Sequence, residues 1–331
     1  MKEFFMNISG MFSGVNIQVK ALVASFAFTM ILGFIIIPIL RKFKIGQTVR
    51  DDGPQSHLKK MGTPTMGGIM MLISISIISF IVSLKYSNLI PITLVTLGFG
   101  LVGFIDDFKK LVLKNTKGLS PKLKMIFLFV ISLAFSLYLF FSGFGTDTYI
   151  PFLKSYIILN PILYVIFIIF VMLACTNSLN LTDGLDGLAA GVNSIIMIFF
   201  IFVGMAWGSK DMSTFSAIVT GASIGFLFFN MYPAKVFMGD TGSLALGGAF
   251  CCVAIMLKMP LILIVTAGIC VIEALSVILQ VGYFNITKGK RLFKMAPIHH
   301  HLELSGMKET SIVPLFWGIT AILCVLAFYI I

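Results

Sequence analysis

Five of the thirteen acidic residues in this 331-residue chain lie where long uncharged apolar runs meet polar segments. They are Asp106, Asp107, Asp183, Asp186 and Asp240. A charge at the centre of a bilayer costs roughly 2.5 kcal/mol or more, so carboxylates kept beside apolar runs indicate a task. The chemistry that suits such a group is holding a divalent cation against a phosphate, because hard cations prefer carboxylate oxygens.

The spacing of these aspartates leaves two interpretations open for each group. Asp106 and Asp107 are adjacent, so on a helix one carboxylate can face a cavity while the other binds a lysine or a cation. The alternative is a solvated helix end. Asp183 and Asp186 lie in a segment rich in Asn and Gly without the spacing and final Glu of an EF-hand, which favours a substrate or Mg²⁺ role over a plain turn. Asp240 suits either a helix cap or a metal ligand beside a bound diphosphate.

Basic residues and histidines accompany the acids. Lys60 precedes residues 62–68, whose small and hydroxyl side chains suit phosphate oxygens at a helix start or, equally, a helix entry capped by Thr65. Three of the four histidines are consecutive: His299, His300 and His301. Consecutive residues do not share a helical face, so the i, i+4 zinc pattern is absent. Phosphate contacts, base recognition or proton transfer remain, beside a plain polar loop.

The segments between these residues are apolar and long. The chain is 58% hydrophobic and 11% charged, whereas soluble domains carry about 25% charged residues. Ten charge-poor stretches span 21–40, 61–84, 86–105, 125–146, 155–182, 187–209, 212–234, 241–257, 259–287 and 310–331. Each approaches or exceeds the ~20 residues that a helix needs to cross a bilayer. The sequence therefore predicts an all-α polytopic integral membrane protein of ten transmembrane helices, forming one catalytic domain over residues 1–331.

Lysine and arginine predict the orientation, because they favour cytoplasmic loops. With residues 1–20 outside, the inside segments are 41–60, 106–124, 183–186, 235–240 and 288–309, and they hold eighteen of the twenty-four basic residues. Both termini are then extracytoplasmic, and the five aspartates face the cytoplasm. The net charge of +11 reflects this asymmetry and affinity for anionic head groups, so nucleic acid is not an expected partner.

Three further features carry less weight. The five cysteines lie inside apolar runs and act as small hydrophobic residues, without a disulfide or metal framework. Glu273 is the one charged residue inside a predicted span, and we interpret it as a structural acid facing the bundle interior. The outer segment 144–160 has room for a short hairpin.

Together the motifs resemble one family. They are the residues 62–68, the Asp106-Asp107 pair, residues 180–187, residues 233–248 and residues 296–301. In this order they resemble the phospho-N-acetylmuramoyl-pentapeptide-transferases, within the polyprenyl-phosphate N-acetylhexosamine-1-phosphate transferase superfamily. The resemblance implies a Mg²⁺-dependent transfer of phospho-MurNAc-pentapeptide from UDP-MurNAc-pentapeptide to undecaprenyl phosphate, giving lipid I and UMP. It also implies a homodimer in the bacterial inner membrane, acting in peptidoglycan synthesis and so in cell wall biogenesis, cell shape and cell division.

The resemblance also implies residue roles. The implied catalytic residues are Asp106, Asp107, Asp183, Asp240, His299, Lys110 and Lys122, and the implied Mg²⁺ ligands are Asp240, Asp183 and Asp107. The implied substrate-binding residues are Lys60, Thr65, Asn180, Gly184, Leu185, Asp186, Asn230, Phe237, Gln280, His300 and His301.

Two rival interpretations use the same residues. A polyprenyl-phosphate GlcNAc-1-phosphate transferase would share the acids, but the run from Ala296 to His301 favours the muramoyl branch. A polytopic transporter would use the carboxylates for cation coupling. Transporters place coupling sites near the bilayer midplane, whereas these acids lie at one predicted face.

Overall fold

The chain is described from a computed structural model over residues 16–42, 60, 62–111, 113 and 118–331. The predicted outer segment before residue 16 lies outside these ranges, as do the inner-loop residues Lys44, Arg50, Lys59, Lys114 and Lys117. The helices are α1 (Ile17–Lys42), α2 (Gly68–Ser83), α3 (Leu89–Leu111), α4 (Pro121–Phe141), α5 (Pro161–Thr182), α6 (Leu188–Ala206), α7 (Lys210–Asn230), α8 (Gly239–Met256), α9 (Leu263–Thr266), α10 (Gly268–Ile286), α11 (Ile298–Leu304) and α12 (Glu309–Ile330). Strands β1 (Asp147–Ile150) and β2 (Ser155–Ile158) lie between α4 and α5.

Nine helices in the described ranges are long and apolar enough to cross a membrane. They correspond to nine of the ten predicted spans. The remaining stretch, 61–84, forms the apolar helix α2, which has only 16 residues. At 1.5 Å per residue α2 is about 24 Å long, less than the ~30 Å hydrocarbon core. The chain is thus a mostly helical membrane protein.

Local sequence explains where two of the helices begin. Ser120 caps α4 by accepting a hydrogen bond from the Leu123 amide, and Pro121 occupies the first helical position. Asn160 caps α5 in the same way, followed by Pro161. Proline suits this position because the first amides of a helix have no intrahelical partner.

The prediction of an all-α fold was wrong in one respect, whereas the short hairpin expected in the outer segment 144–160 is confirmed. The predicted span 155–182 begins with β2, which pairs antiparallel with β1 in a two-stranded sheet, with Tyr149 opposite Tyr156. Aromatic and β-branched residues favour this pairing. The predicted span 259–287 is also interrupted, because a 3-10 turn and the short helix α9 precede α10.

The bundle has a buried centre and apolar outer faces. Helices α7 and α8 are buried over most of their length, whereas less than a third of α1, α4 and α10 is buried. The exposed side chains on these outer helices are predominantly apolar. An outer surface of this kind fits a hydrocarbon environment, while the central helices bring polar residues together at their ends.

Candidate active site

The site is built around a close approach between the end of α3 and the start of α8. Gly103 makes this approach possible, because a Cβ atom there would collide with the Asp240 backbone carbonyl. Asp106 and Asp107 follow within one turn of Gly103. The absence of a side chain at one position therefore brings two α3 acids against the N-terminus of α8.

Asp107 caps α8 from the neighbouring helix. Its Oδ1 accepts from the Asp240 amide at 3.2 Å. Its Oδ2 accepts from the Thr241 amide at 3.0 Å and from the Thr241 hydroxyl at 2.6 Å. A carboxylate at this position satisfies free amides and complements the helix dipole. Asp107 thereby fixes the backbone that carries Asp240.

Asp240 lies where four helices meet, its own α8 and the three that carry its partners. Its Oδ2 accepts from Lys124 Nζ at 2.9 Å and from Lys110 Nζ at 3.2 Å. Its Oδ1 accepts from Asn180 Nδ2 at 2.9 Å, and the same amide also donates to Ser243. The side chain remains 20% exposed, so it is accessible from outside the bundle.

Asp106 holds the lysines in place. Its Oδ2 accepts from Lys110 Nζ at 2.7 Å, and its Oδ1 accepts from the Leu119 amide at 2.7 Å. Lys124 Nζ lies 3.8 Å from the same carboxylate. Asp106 is itself buried. The ammonium groups of Lys110 and Lys124 therefore lie between the carboxylates of Asp106 and Asp240. A phosphate oxygen could accept further hydrogen bonds from these ammonium groups.

Asp183 is the unsatisfied acid of the cluster. It follows α5 directly, is partly buried, and receives no hydrogen bond from the described residues. Burial raises the pKa of the Asp183 carboxyl well above its ordinary value, and the charges of Asp240, Asp107 and Asp186 raise this pKa further. A cation beside Asp183 would reverse that repulsion and favour the ionised carboxylate.

These residues fit a magnesium ion that is only partly held by protein. Within the described ranges, no group of three or more His, Cys, Asp or Glu residues is arranged to hold a metal. Mg²⁺ is usually bound through one or two carboxylates and completes its shell with water and substrate phosphate. The Asp183 carboxylate, which receives no hydrogen bond from the described part of the chain, and the nearby Asp240 carboxylate supply hard oxygen donors of this kind. Asp107 supports the site from behind, because both its oxygens already accept hydrogen bonds.

A second polar cluster surrounds Asp186. Lys60 Nζ donates to Asp186 Oδ1 and to Glu309 Oε1, both at 2.7 Å. Glu309 Oε1 also accepts from the Asp186 amide at 2.6 Å, and Asp186 Oδ2 accepts from the Ala234 amide at 2.9 Å. Asn230 joins the same turn by accepting from the Gly187 amide at 3.0 Å. This network connects four segments that are far apart in sequence.

Of the remaining predicted substrate-binding residues, Thr65 and Phe237 lie next to the start of α8, whereas Gln280 contacts the segment before the histidines. Thr65 lies beside Gly239, and the Phe237 amide donates to the Pro64 carbonyl at 2.8 Å. Gln280 Oε1 accepts from the amides of Leu292 and Phe293 at 3.0 and 2.8 Å. Gln280 thus holds the backbone of residues 292–293, in the segment before the histidines, against α10.

The three histidines have different surroundings. His299 is buried, with Nδ1 3.0 Å from Glu273 Oε1. The His300 Nδ1 lies 2.9 Å from Glu303 Oε2, and His301 Nδ1 accepts from the Lys294 amide at 3.1 Å. His299 is directed at the turn that contains Gly184 and the buried Leu185.

The structure brings the predicted acids, Lys60, Lys110, Asn180 and Asn230 into the two clusters and adds two residues to them. Gln280 and His301 instead contact the backbone of residues 292–294. Lys122 is exposed and makes no hydrogen bond or ion pair with described residues, while Lys124 occupies the site. Sequence reasoning also missed Glu309, although it is the last acid before the final apolar run. For the lysines, the sequence does contain a signal. Lys122 and Lys124 are two residues apart on a helix, so only one of them can face the site.

Comparisons with known proteins identify the family of this chain. The chain matches the glycosyl transferase family 4 over residues 89–258. It is 50% identical over 317 residues to a phospho-N-acetylmuramoyl-pentapeptide-transferase of Acetivibrio thermocellus, covering 95% of this chain and 96% of that protein. It is 49% identical over 310 residues to one of Clostridium botulinum, covering 93% and 95%. It is 48% identical over 319 residues to one of Halalkalibacterium halodurans, covering 95% and 98%.

The family predicted from the motifs is confirmed by these matches, which extend over almost the whole chain. The prediction that the chain is an enzyme is confirmed as well. The chain therefore belongs to the phospho-N-acetylmuramoyl-pentapeptide-transferase family of phosphoglycosyl transferases.

Proposed function

We propose that this protein transfers phospho-MurNAc-pentapeptide from UDP-MurNAc-pentapeptide to undecaprenyl phosphate, producing lipid I and UMP with Mg²⁺. The observation that carries the proposal is the juxtaposition of two kinds of binding group. Lys110 and Lys124 meet at Asp240, while Asp183 lies alongside without a hydrogen-bond donor from the described residues. A diphosphate needs both cationic side chains and a divalent cation, and this cluster supplies the first and suits the second.

Asp183 and Asp240 would hold the magnesium ion. When bound, Mg²⁺ would neutralise phosphate oxygens and so lower the cost of developing negative charge. Asp107 would support this arrangement through the α8 amides, to which it is already hydrogen-bonded. Asn180 would fix the rotamer of Asp240 through its 2.9 Å hydrogen bond.

In the proposed reaction an oxygen of the lipid phosphate attacks the phosphorus that bears the sugar. A new P–O bond forms, the bond from that phosphorus to the bridging oxygen breaks, and UMP leaves with the electron pair. A phosphate monoester is largely dianionic at pH 7, so direct attack needs little help from a base. Lys110, oriented by Asp106 at 2.7 Å, would align the attacking phosphate, and positioning would supply most of the rate.

The cluster around Asp186 is the proposed site for the uridine end of the donor. Lys60, Asp186 and Asn230 present charged and polar groups on one turn. Phe237 adds an aromatic surface in the segment that follows. Gly184 and Leu185 connect Asp183 to Asp186. The five-residue segment 183–187 would therefore couple nucleoside binding to diphosphate binding. The proposal retains Thr65, Gln280, His300 and His301 as further substrate contacts and Lys122 as a basic residue at the entrance.

We further propose ten spans, with α2 as a short tenth helix, both termini outside and the active site facing the cytoplasm of a bacterial inner membrane. The basic inner segments support this orientation. Residues 1–331 would form a single transmembrane catalytic domain, and two copies would associate as a homodimer. Cysteine labelling from either side of the membrane tests the orientation, and mass measurement in detergent tests the dimer.

Purified full-length protein tests the reaction directly. We expect UMP release from UDP-MurNAc-pentapeptide only when undecaprenyl phosphate and Mg²⁺ are both present. Chelation with EDTA should abolish the release, and Mg²⁺ should restore it. UDP-GlcNAc serves as the matched donor control. Preferential turnover of UDP-GlcNAc, or UMP release without the lipid phosphate, would overturn the proposal.

A further inference from the structure

A buried acid and a buried histidine form a pair behind the active-site turn. Glu273 lies in α10 and His299 in α11, and both side chains are almost completely inaccessible to solvent. The His299 Nδ1 is 3.0 Å from Glu273 Oε1. Glu273 is therefore not an isolated structural acid, because it has a specific partner twenty-six residues later in the chain.

The other atom of each group lacks a partner. Glu273 Oε2 and His299 Nε2 are buried without a hydrogen bond to any described residue. Leaving buried polar atoms unsatisfied is costly, so their retention requires an explanation. For His299 the surroundings provide one, because the free nitrogen points toward the active-site turn.

Gly184 is the residue that the His299 ring touches. A Cβ atom on Gly184 would collide with His299 Nε2 and lie within 2.7 Å of Cε1. Gly184 directly follows Asp183, whose carboxylate receives no hydrogen bond from the described residues. The ring of His300 also packs on His299, with centroids 4.1 Å apart and the planes tilted by 60°. His299 therefore contacts both a neighbouring ring and the turn that follows Asp183.

Glu273 determines which nitrogen of His299 carries a proton. A carboxylate can only accept a hydrogen bond, so the His299 Nδ1 must carry a proton and donate a hydrogen bond to Glu273. The Nε2 atom can then accept a proton when the ring is neutral, or donate one when the ring is charged. Histidines that act in catalytic or metal sites are commonly oriented in this way by an acid on the far nitrogen. The geometry here has the same order: acid, imidazole, and then the segment carrying Asp183.

We propose that Glu273 is a positioning residue for the transfer, acting only through His299. It fixes the ring and its Nδ1–H tautomer, and the ring in turn seats the Gly184 turn so that Asp183 faces the diphosphate site. This inference rests on the proposed function for its kinetic consequence. Its structural part, the tautomer of His299, can be tested without turnover.

A double-mutant cycle tests the kinetic part on full-length protein in lipid nanodiscs. Glu273→Leu removes the acceptor with a side chain of similar size, and we expect kcat to fall about tenfold to 100-fold with little change in KM. Glu273→Gln retains an acceptor oxygen and should give an intermediate kcat. In a His299→Gln background, Glu273→Leu should cost nothing further, because residues acting as a unit are non-additive.

Labelled histidine gives the second measurement. With isotope-labelled nitrogen, His299 can be assigned by its loss in His299→Gln, and it should show the Nδ1–H tautomer in the native protein. Glu273→Leu should shift the population toward Nε2–H. Native kcat in Glu273→Leu, an additive loss in the double variant, or an unchanged tautomer would each overturn the inference. If native protein releases no UMP, the proposed function fails instead, and the tautomer measurement still decides the Glu273 geometry.

Discussion

The two ends of the helical bundle use the same residue types in opposite ways. At the hairpin end, formed by β1, β2 and Lys258, the lysine donates to both oxygens of Asp147 at 2.6 and 2.7 Å. At the acidic end, formed by Asp106, Asp107, Asp183 and Asp240, two lysines serve several carboxylates. Among the described contacts of this end, the Asp183 carboxylate receives no hydrogen bond.

An ion pair that stabilises the fold has every charge compensated, whereas a cluster that binds a ligand leaves some charge uncompensated. The Asp147–Lys258 pair is complete and attaches the hairpin to the segment after α8, where the Tyr149 amide also donates to the Lys258 carbonyl at 2.7 Å. The acidic end keeps charges close together without full compensation, which lowers stability. Such an arrangement persists when a ligand completes it.

Asp240→Asn should have the largest effect. The change removes the charge that Lys110 and Lys124 share and one of the two proposed magnesium ligands. We expect UMP release at saturating Mg²⁺ to fall by about 10³-fold, as when a preorganised electrostatic group is lost. A rate within about tenfold of the native protein would contradict the metal role of Asp240.

Asp183→Asn should separate activity from stability. We expect UMP release to fall about 100-fold, with a higher Mg²⁺ requirement. Without Mg²⁺ the variant should melt roughly 2 °C higher than the native protein, because the cost of burying the Asp183 carboxylate and its repulsion from Asp240, Asp107 and Asp186 are removed. Thermal unfolding in EDTA measures this gain.

The stability gain should also depend on pH. Because the pKa of Asp183 is raised in the folded protein, ionisation penalises folding as pH rises above the unfolded value of about 3.9. The advantage of Asp183→Asn should therefore be present at neutral pH and disappear as pH falls toward 4. A variant that is less stable than native protein in EDTA at pH 7 would show that Asp183 has a partner in the folded state.

Glu309→Gln should have an intermediate effect. Glu309 accepts from Lys60 at 2.7 Å and from the Asp186 amide at 2.6 Å, so losing its charge loosens the proposed uridine site. A hydrogen bond to a charged group contributes about 1.5 kcal/mol or more, which corresponds to a roughly tenfold higher KM for the UDP donor. We expect kcat to change little. A lower kcat at unchanged KM would instead place Glu309 in the transfer step.

Long-range properties of the fold follow from the sequence because they depend on hydropathy. The lengths of the apolar runs are sufficient to predict the nine long helices of the described ranges. In lipid, a helix of about 20 apolar residues is the simplest structure that satisfies all backbone hydrogen bonds. The acids Asp106, Asp107, Asp183 and Asp240 are then brought to one end by alternation alone. That part of the site requires no knowledge of packing.

Helix rotation and side-chain partners do not follow in the same way. Lys122 and Lys124 are the same residue type on the same helix. Which of the two side chains faces the site depends on how α4 packs against its neighbours. The partner of Glu273 is set by the path of residues 287–297, which brings His299 back against α10. Residues 155–158 form a strand because β1 is available nearby, although their apolar composition is also compatible with a helix. Each of these features is fixed by contacts between distant segments.

Asp147→Asn should have the smallest effect and provides the matched control for every acid-to-amide change at the acidic end. Its partner Lys258 and the carboxylate itself are about one-third exposed, so the pair should contribute about 0.2–1 kcal/mol. We expect the melting temperature to fall by roughly 1–3 °C and the rate of UMP release to remain native. Because solvent screens this pair, high salt should reduce the stability difference between the variant and the native protein. A substantial loss of turnover in Asp147→Asn would mean that the hairpin end communicates with the site, and charge compensation would then no longer distinguish the structural end from the catalytic one.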